Sequence, residues 1–247
     1  MLTKPDILKN YYKDNKVVDQ YIIKRFKKPL GSYQHIFQVR YINHIIEKFK
    51  PKNLLEIACG PGRLTSHIKG VKRGYAIDSS EKMLDKARKI IGKNSNWIFI
   101  KKDAFNLDFD LTFDLVYSLR FLRHFKLKDR EKIYKRIRKL LNPSGLFIFD
   151  APCLEKYSFI KKLESKGGEI IYDKIFRDQE ELKIELEHNG FELIEAKGYI
   201  FHFYIQAIIS RVSYKLHFSK LGISIIRLLE NAKFGKPLEW MVICKKG

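Results

Sequence analysis

Cysteine is scarce. The 247 residues hold three, Cys59, Cys153 and Cys244, too few and too scattered for a disulfide framework or a zinc site. Their scarcity fits a reducing compartment. Long apolar runs are missing too. Near the C-terminus the longest stretch without Lys, Arg, Asp or Glu is 198–210, well short of the ~20 residues that cross a bilayer. No apolar run follows Met1-Leu-Thr-Lys-Pro-Asp6 to make a secretory signal. The expectation is a cytoplasmic protein with no transmembrane segment. Internal repeats, low-complexity linkers and a basic tail are also absent.

What is present is a balance suited to one folded domain over residues 1–247, with 45% hydrophobic and 31% charged residues. Acid is in short supply: 49 Lys+Arg stand against 28 Asp+Glu, for a net charge of +21. Residues 151–200 are the one block of fifty with a negative balance. Most of the excess is lysine, which populates plain solvated surfaces more than it builds bidentate phosphate sites. Two readings stay open: a generic solubility field, or an anionic partner such as RNA or a membrane surface.

Periodicity divides the chain. Residues 6–28 and 34–49 read as helices, separated by Pro29-Leu-Gly-Ser32, and residues 1–50 form an N-terminal helical cap. Over 51–151, strand and helix patterns alternate: strands at 53–58, 74–77, 97–100, 113–117 and 146–149, and helical stretches at 64–68, 80–91 (capped by Ser80) and 129–141. Such alternation predicts a parallel sheet with helices on both faces, an α/β fold. A helix at 178–189, a strand at 191–199 and a last strand at 238–244 follow. Between the final two strands, residues 201–236 form a helical insertion far longer than a turn needs. Its apolar positions Ile205, Ile208, Ile209, Val212 and Leu216 predict a face that covers something apolar. The expectation is a lid over the site, with a dimer contact as the alternative.

The most informative segment is Glu56-Ile-Ala58-Cys59-Gly60-Pro61-Gly62. A buried strand runs into a glycine-rich turn and then a helix, so bare backbone and helix-start amides can approach a ligand closely. Asp78 lies 20 residues beyond Ala58 at the end of the next strand, the spacing at which a carboxylate accepts the hydroxyls of a ribose. The full G-x-G-x-x-G pattern is not met, because position 58 is Ala and position 65 is Thr, which argues against a nicotinamide enzyme.

These residues resemble the first motif of the class I S-adenosylmethionine-dependent methyltransferases, in the broad methyltransferase-11-like group. Asp78-Ser-Ser-Glu-Lys-Met83 resembles their second-strand segment, and Lys102-Asp103-Ala104 their third motif. Phe113-Asp114-Leu-Val116-x-Ser118 resembles the fourth, and Asn142-Pro143-x-Gly145 the approach to the fifth strand. The resemblance implies a Rossmann-like seven-stranded sheet with N-terminal helices, the last strand antiparallel, and S-adenosyl-L-methionine as cofactor, released as S-adenosyl-L-homocysteine. It also implies roles. Glu56 orients the first loop; Ala58, Gly60 and Gly62 line the methionine portion with backbone. Asp78 holds the ribose, Ser79 and Met83 flank the adenine, Asp103 and Ala104 meet its edge with Phe105 close by, and Ser118 lies near the sulfonium. Arg40 either reaches the methionine carboxylate or is a surface arginine. Tyr12, Tyr21 and Tyr33 either cover the cofactor or pack as plain helix residues.

Methyl transfer needs a base only where the acceptor must lose a proton. His124, just after the fourth strand, is the candidate, against a helix-start histidine that packs or caps. Three readings of the whole remain: transfer to a small or lipid-like acceptor, RNA (tRNA) methylation, and a non-catalytic cofactor-binding protein. No metal site is expected, and a homodimer and peripheral contact with an anionic membrane are both compatible with the sequence.

Overall fold

The computed structural model describes residues 6, 11–12, 14–92, 95–153 and 176–247. Most of the expected 6–14 start of the first helix lies outside them. Helix α1 (Asn15–Phe26) leads into α2 (Pro29–Phe49). Pro29-Leu-Gly-Ser32, expected as a separator, is instead the first turn of α2. Proline suits a helix start because its fixed φ is already helical and its missing N–H would have no partner there. Gly31 is required by packing: a Cβ there would lie 2.2 Å from the Arg25 carbonyl oxygen at the end of α1.

The sheet follows the expected alternation. Its strands are β1 (Asn53–Ile57), β2 (Arg73–Asp78), β3 (Trp97–Lys101), β4 (Phe113–Ser118), β5 (Leu141–Pro152), β6 (Phe191–Tyr199) and β7 (Glu239–Lys246). Their order is β3-β2-β1-β4-β5-β7-β6. Strands β1 to β5 pair in parallel, and β7 is antiparallel to both β5 and β6. Strand order reverses between β1 and β4, and in open α/β sheets ligands bind beyond the carboxyl ends at such a point. The remaining helices are α3 (Glu81–Ile91), α4 (Leu127–Leu140), α5 (Gln179–His188), α6 (Phe203–Lys215) and α7 (Ser219–Leu229). The expected helix at 64–68 shrinks to one 3-10 turn, Thr65–His67.

Side chains alternate across the sheet. Leu55, Ile57, Val116, Phe147 and Phe149 pack with α4 and α5 on one face. Leu54, Ala76, Leu115, Tyr117 and Ile148 pack with α2 and α7 on the other. Burial on both faces explains why these strands read as continuous apolar runs.

The helical insertion is α6 and α7. It packs against α2, with Ser210 Oγ accepting the Leu30 amide at 3.0 Å. Glu230 anchors its root by accepting the Ile200 and Phe201 amides, both at 2.9 Å. Contrary to the sequence expectation, Ile205, Ile208, Val212 and Leu216 are exposed, while Gln206 and Ser210 of the same helix are buried. The polar edge turns inward onto partners: Gln206 Nε2 donates to Glu230 and Ser210 Oγ takes the Leu30 amide.

Helices α4 and α5 are joined by a buried ion pair. Arg130 grips Glu185 through Nε (2.7 Å) and Nη2 (2.5 Å), donates to the Phe125 carbonyl at 2.6 Å, and shares Glu185 with the Tyr134 hydroxyl at 3.0 Å. Removing one partner of such a pair strands the other charge, at a cost of about 3–5 kcal/mol. Arg130→Ala is expected to lower the unfolding free energy by roughly that amount. Urea denaturation followed by circular dichroism checks this; a loss under about 1 kcal/mol would show that the pair contributes no more than an exposed one.

Candidate active site

Beyond the carboxyl end of β1 the backbone enters the left-handed region three times within five residues: Ala58 at φ +57°, Gly60 at +56° and Gly62 at +76°. Each glycine has its own reason. A Cβ on Gly62 would come within 3.0 Å of the Ala87 side chain, so this glycine lets the loop approach α3. A Cβ on Gly60 would meet no protein atom within 4 Å, and Gly60 lines a cavity. Ala58 holds its conformation with a Cβ present, a strain of about 1–2 kcal/mol.

Asp78, the last residue of β2, clasps this loop. Its Oδ2 accepts the Gly60 amide and its Oδ1 the Ser80 amide, both at 2.9 Å. Burial pushes its carboxyl up to about 6, against the pull of those amides. Ser80 in turn caps α3, accepting the Met83 amide at 3.4 Å and donating to the Tyr12 carbonyl at 2.9 Å. A carboxylate has about four acceptor positions. Backbone amides of Gly60, Ser79 and Ser80 occupy part of that capacity, and the remainder is open to hydroxyl donors.

The cavity has a volume of about 780 Å³ including its open mouth, within the ~300–1,000 Å³ range of small-molecule sites. Of the expected residues, Ala58, Gly60, Asp78, Ser79, Met83, Asp103, Ala104, Phe105 and His124 all line it. Asp103 Oδ1 accepts the Phe105 amide at 3.1 Å, which shapes the turn after β3. Tyr12 and Tyr21 also line it, stacked edge to face at 6.1 Å, whereas Tyr33 is buried under the insertion. His124 is buried, on the 3-10 turn Leu122–His124.

Four expectations change. Ser118 is fully buried and donates to the Ile57 carbonyl at 2.9 Å, so it braces β4 against β1 and does not line the cavity. Arg40 is exposed on α2 and is absent from the lining, the surface reading of that residue. Gly62 serves loop packing rather than the cavity wall. The expected roof from residues 201–236 contributes none of the described lining residues; Tyr12 and Tyr21 take that place. Glu56 is buried in β1 and does not line the cavity. It accepts the Thr65 hydroxyl at 2.5 Å and the Tyr117 hydroxyl at 2.7 Å, and burial raises its carboxyl to about 7.

Sequence reasoning missed Leu119, Arg120, Phe121 and Phe125, which follow β4 and complete the wall. Arg120 has φ +60°, and its amide donates to Asp150 at 2.7 Å. The motif match ends at Ser118, so these positions had no pattern to mark them. The buried polar cluster behind them was also missed. Arg123 binds both Asp150 and Glu239 (the latter at 2.8 Å), and Glu239 also takes Gln34 at 2.9 Å and the Tyr199 hydroxyl at 2.5 Å.

Residues 54–145 match the family model described as a methyltransferase domain. Over those residues the chain carries a methyltransferase domain. Solved methyltransferases share its fold from end to end. A magnesium protoporphyrin IX methyltransferase of Synechocystis with bound S-adenosylhomocysteine has a TM-score of 0.66 at 13% identity, over 99% of this chain and 100% of that one. The N-methyltransferase NodS of Bradyrhizobium japonicum, with the same ligand, has a TM-score of 0.60 at 13% identity, over 98% of each chain. An S-adenosylmethionine-dependent methyltransferase of Clostridium acetobutylicum has a TM-score of 0.58 at 18% identity, over 85% and 90%. No curated protein sequence matches the chain.

The cavity suits the methyltransferase cofactor: an open glycine backbone, a carboxylate with acceptor capacity to spare, and apolar walls from Ile57, Ile77 and Met83. If Asp78 accepts the ribose hydroxyls, Asp78→Ala weakens S-adenosylmethionine binding about 10–100-fold, the equivalent of a charge-assisted bond of roughly 1.5–3 kcal/mol. The pH dependence has a definite sign. The carboxyl titrates near 6, so acceptor capacity is lost as pH falls through that value. Affinity is expected to be flat above pH 7 and to weaken below 6, and Asp78→Asn to abolish that dependence. Calorimetry across pH 5–8 reads both; a wild-type affinity insensitive to pH would contradict the assignment.

Proposed function

We propose that this domain transfers a methyl group from S-adenosylmethionine to a small, largely apolar or lipid-like acceptor, with His124 as the group that receives the acceptor's proton. One observation carries the reading. The cavity that collects Asp78, Ser79 and Asp103 also holds Leu119, Arg120, Phe121, His124 and Phe125, none of which is assigned to the cofactor. They give a largely apolar wall with one guanidinium and one buried ionisable ring. The solved relatives' names point the same way, including a magnesium protoporphyrin IX methyltransferase and a mitomycin 7-O-methyltransferase.

The roles divide by chemistry. When bound, S-adenosylmethionine supplies a methyl already activated on a cationic sulfonium. Asp78 accepts the ribose hydroxyls, Gly60 leaves room for the methionine portion, and Asp103 with Ala104 meets the adenine edge between Ser79, Met83 and Phe105. Leu119, Phe121 and Phe125 hold the acceptor and keep water from the transfer. His124 takes the acceptor proton as the new bond to carbon forms. Holding two reactants in line is worth about 7–11 kcal/mol, so positioning carries most of the catalysis and the base a smaller share.

The test is turnover. The purified chain is incubated with S-adenosylmethionine, a panel of small hydroxyl, amine and carboxyl acceptors, and bulk tRNA, and S-adenosylhomocysteine is measured. Turnover on a small acceptor is expected, with His124→Ala lowering kcat by about 10²–10⁴ and leaving cofactor affinity unchanged. Methylation of tRNA alone would overturn the acceptor class. Full activity of His124→Ala would remove the base. Cofactor binding with no turnover on any acceptor would indicate a binding protein.

A further inference from the structure

The α6–α7 hairpin is built inside out. At 100° per residue, Ile205, Ile208, Val212 and Leu216 share one face of α6, and they are 49–63% exposed. On α7, Leu221 and Leu228 are 59% and 68% exposed, while Gly222 and Ile226 are buried. Toward the protein the hairpin turns Ile226, with Phe203 and Ile209 packed against the core, together with small and polar groups. Ser210 and Gln206 are bonded inward, and a Cβ on Gly222 would clash with Ser213 Oγ at 2.1 Å. Phe218 and Phe234 extend the apolar surface at 61% and 70% exposure. A monomeric soluble protein rarely leaves so many large apolar side chains of one hairpin to water.

The charges around the patch have one sign. Between residues 201 and 236 the cations are Arg211, Lys215, Lys220, Arg227, Lys233 and Lys236, all exposed. The one acid in that stretch, Glu230, is buried and occupied with backbone amides. A second copy of this chain would set these cations against their own kind. A nucleic acid would use the cations and leave the isoleucines and leucines in water. An anionic bilayer surface satisfies both, through apolar side chains entering the acyl boundary and cations at the headgroups. No described helix is long and apolar enough to cross a membrane, so contact is parallel to the surface.

We propose that the α6–α7 hairpin docks this protein on an anionic lipid surface. The proposal is independent of the acceptor and of His124. The experiment is co-sedimentation of the full chain with vesicles of phosphatidylcholine, alone or mixed with phosphatidylserine. The chain should pellet with the mixed vesicles, remain largely in solution with the neutral ones, and come off as salt screens the headgroups. The double variant Ile208→Asp, Leu221→Asp alters exposed positions only and should lose at least about tenfold in lipid partitioning. Its melting temperature and S-adenosylmethionine affinity should match wild type. Triple charge reversal at Arg211, Lys215 and Lys220 should lose the preference for phosphatidylserine. Failure of wild type to bind mixed vesicles overturns the proposal, as does undiminished binding by the double variant. A wild-type dimer in analytical ultracentrifugation that the double variant dissolves would assign the face to a second copy and overturn it equally.

Discussion

The site depends on one carboxylate. Asp78 joins the loop after β1 to the turn before α3 by accepting one amide from each. Without it the Gly60 amide would have to find water, and the Cys59 amide on the Ile77 carbonyl would be left to tie the loop to β2. The anchor is held against its own preference, since burial favours the neutral acid. The backbone amides of Gly60, Ser79 and Ser80 keep the charge in place, and they orient the remaining lone pairs. Ser80 extends the anchor by capping α3 and gripping the Tyr12 carbonyl. One interaction therefore sets the glycine backbone, the start of a helix and part of the cavity's cover.

A second buried network holds the helical cap over the sheet. Arg123 lies between two carboxylates, Asp150 near the end of β5 and Glu239 at the start of β7. Gln34 and Gln38 of α2 reach down to Glu239 and the Tyr199 hydroxyl. Arg63 joins from the glycine loop, donating to Gln38 at 2.9 Å and stacking on Phe26 at 4.1 Å. Helix α2 is thus tied by polar groups to strands that are distant in sequence. Packing alone would let such a helix slide; bonds to buried charges hold it in one register.

The sheet and the loop were legible because each rests on a local signal. Continuous apolar runs marked strands covered on both faces, and Gly60, Gly62 and Asp78 carry conformational and spacing requirements that few residues meet. Legibility failed where a residue's partner lies far along the chain. Ser118 reads as a ligand contact until the Ile57 carbonyl appears beside it. The pairing of Arg123 with Glu239 spans 116 positions, and no pattern near either residue announces it. Periodicity placed α6 correctly but could not say which side faces in, because Glu230 and Leu30 supply the polar partners that invert it. Arg40 had the right charge and the wrong face of its helix.

The position of β7 has a consequence for how the chain is made. Strand β6 has β7 as its single neighbour in the sheet, and β7 lies between β5 and β6. During synthesis, Phe191–Tyr199 therefore emerges before its native partner, while the edge of β5 is still open, and waits through α6 and α7 until Glu239–Lys246 arrives. The same late strand brings the second carboxylate to Arg123. Until then the nascent chain carries a partly compensated buried cation and an unpaired strand, the features that invite aggregation and chaperone capture. The order of strands makes β7, the last of them to emerge, also the one that closes the sheet.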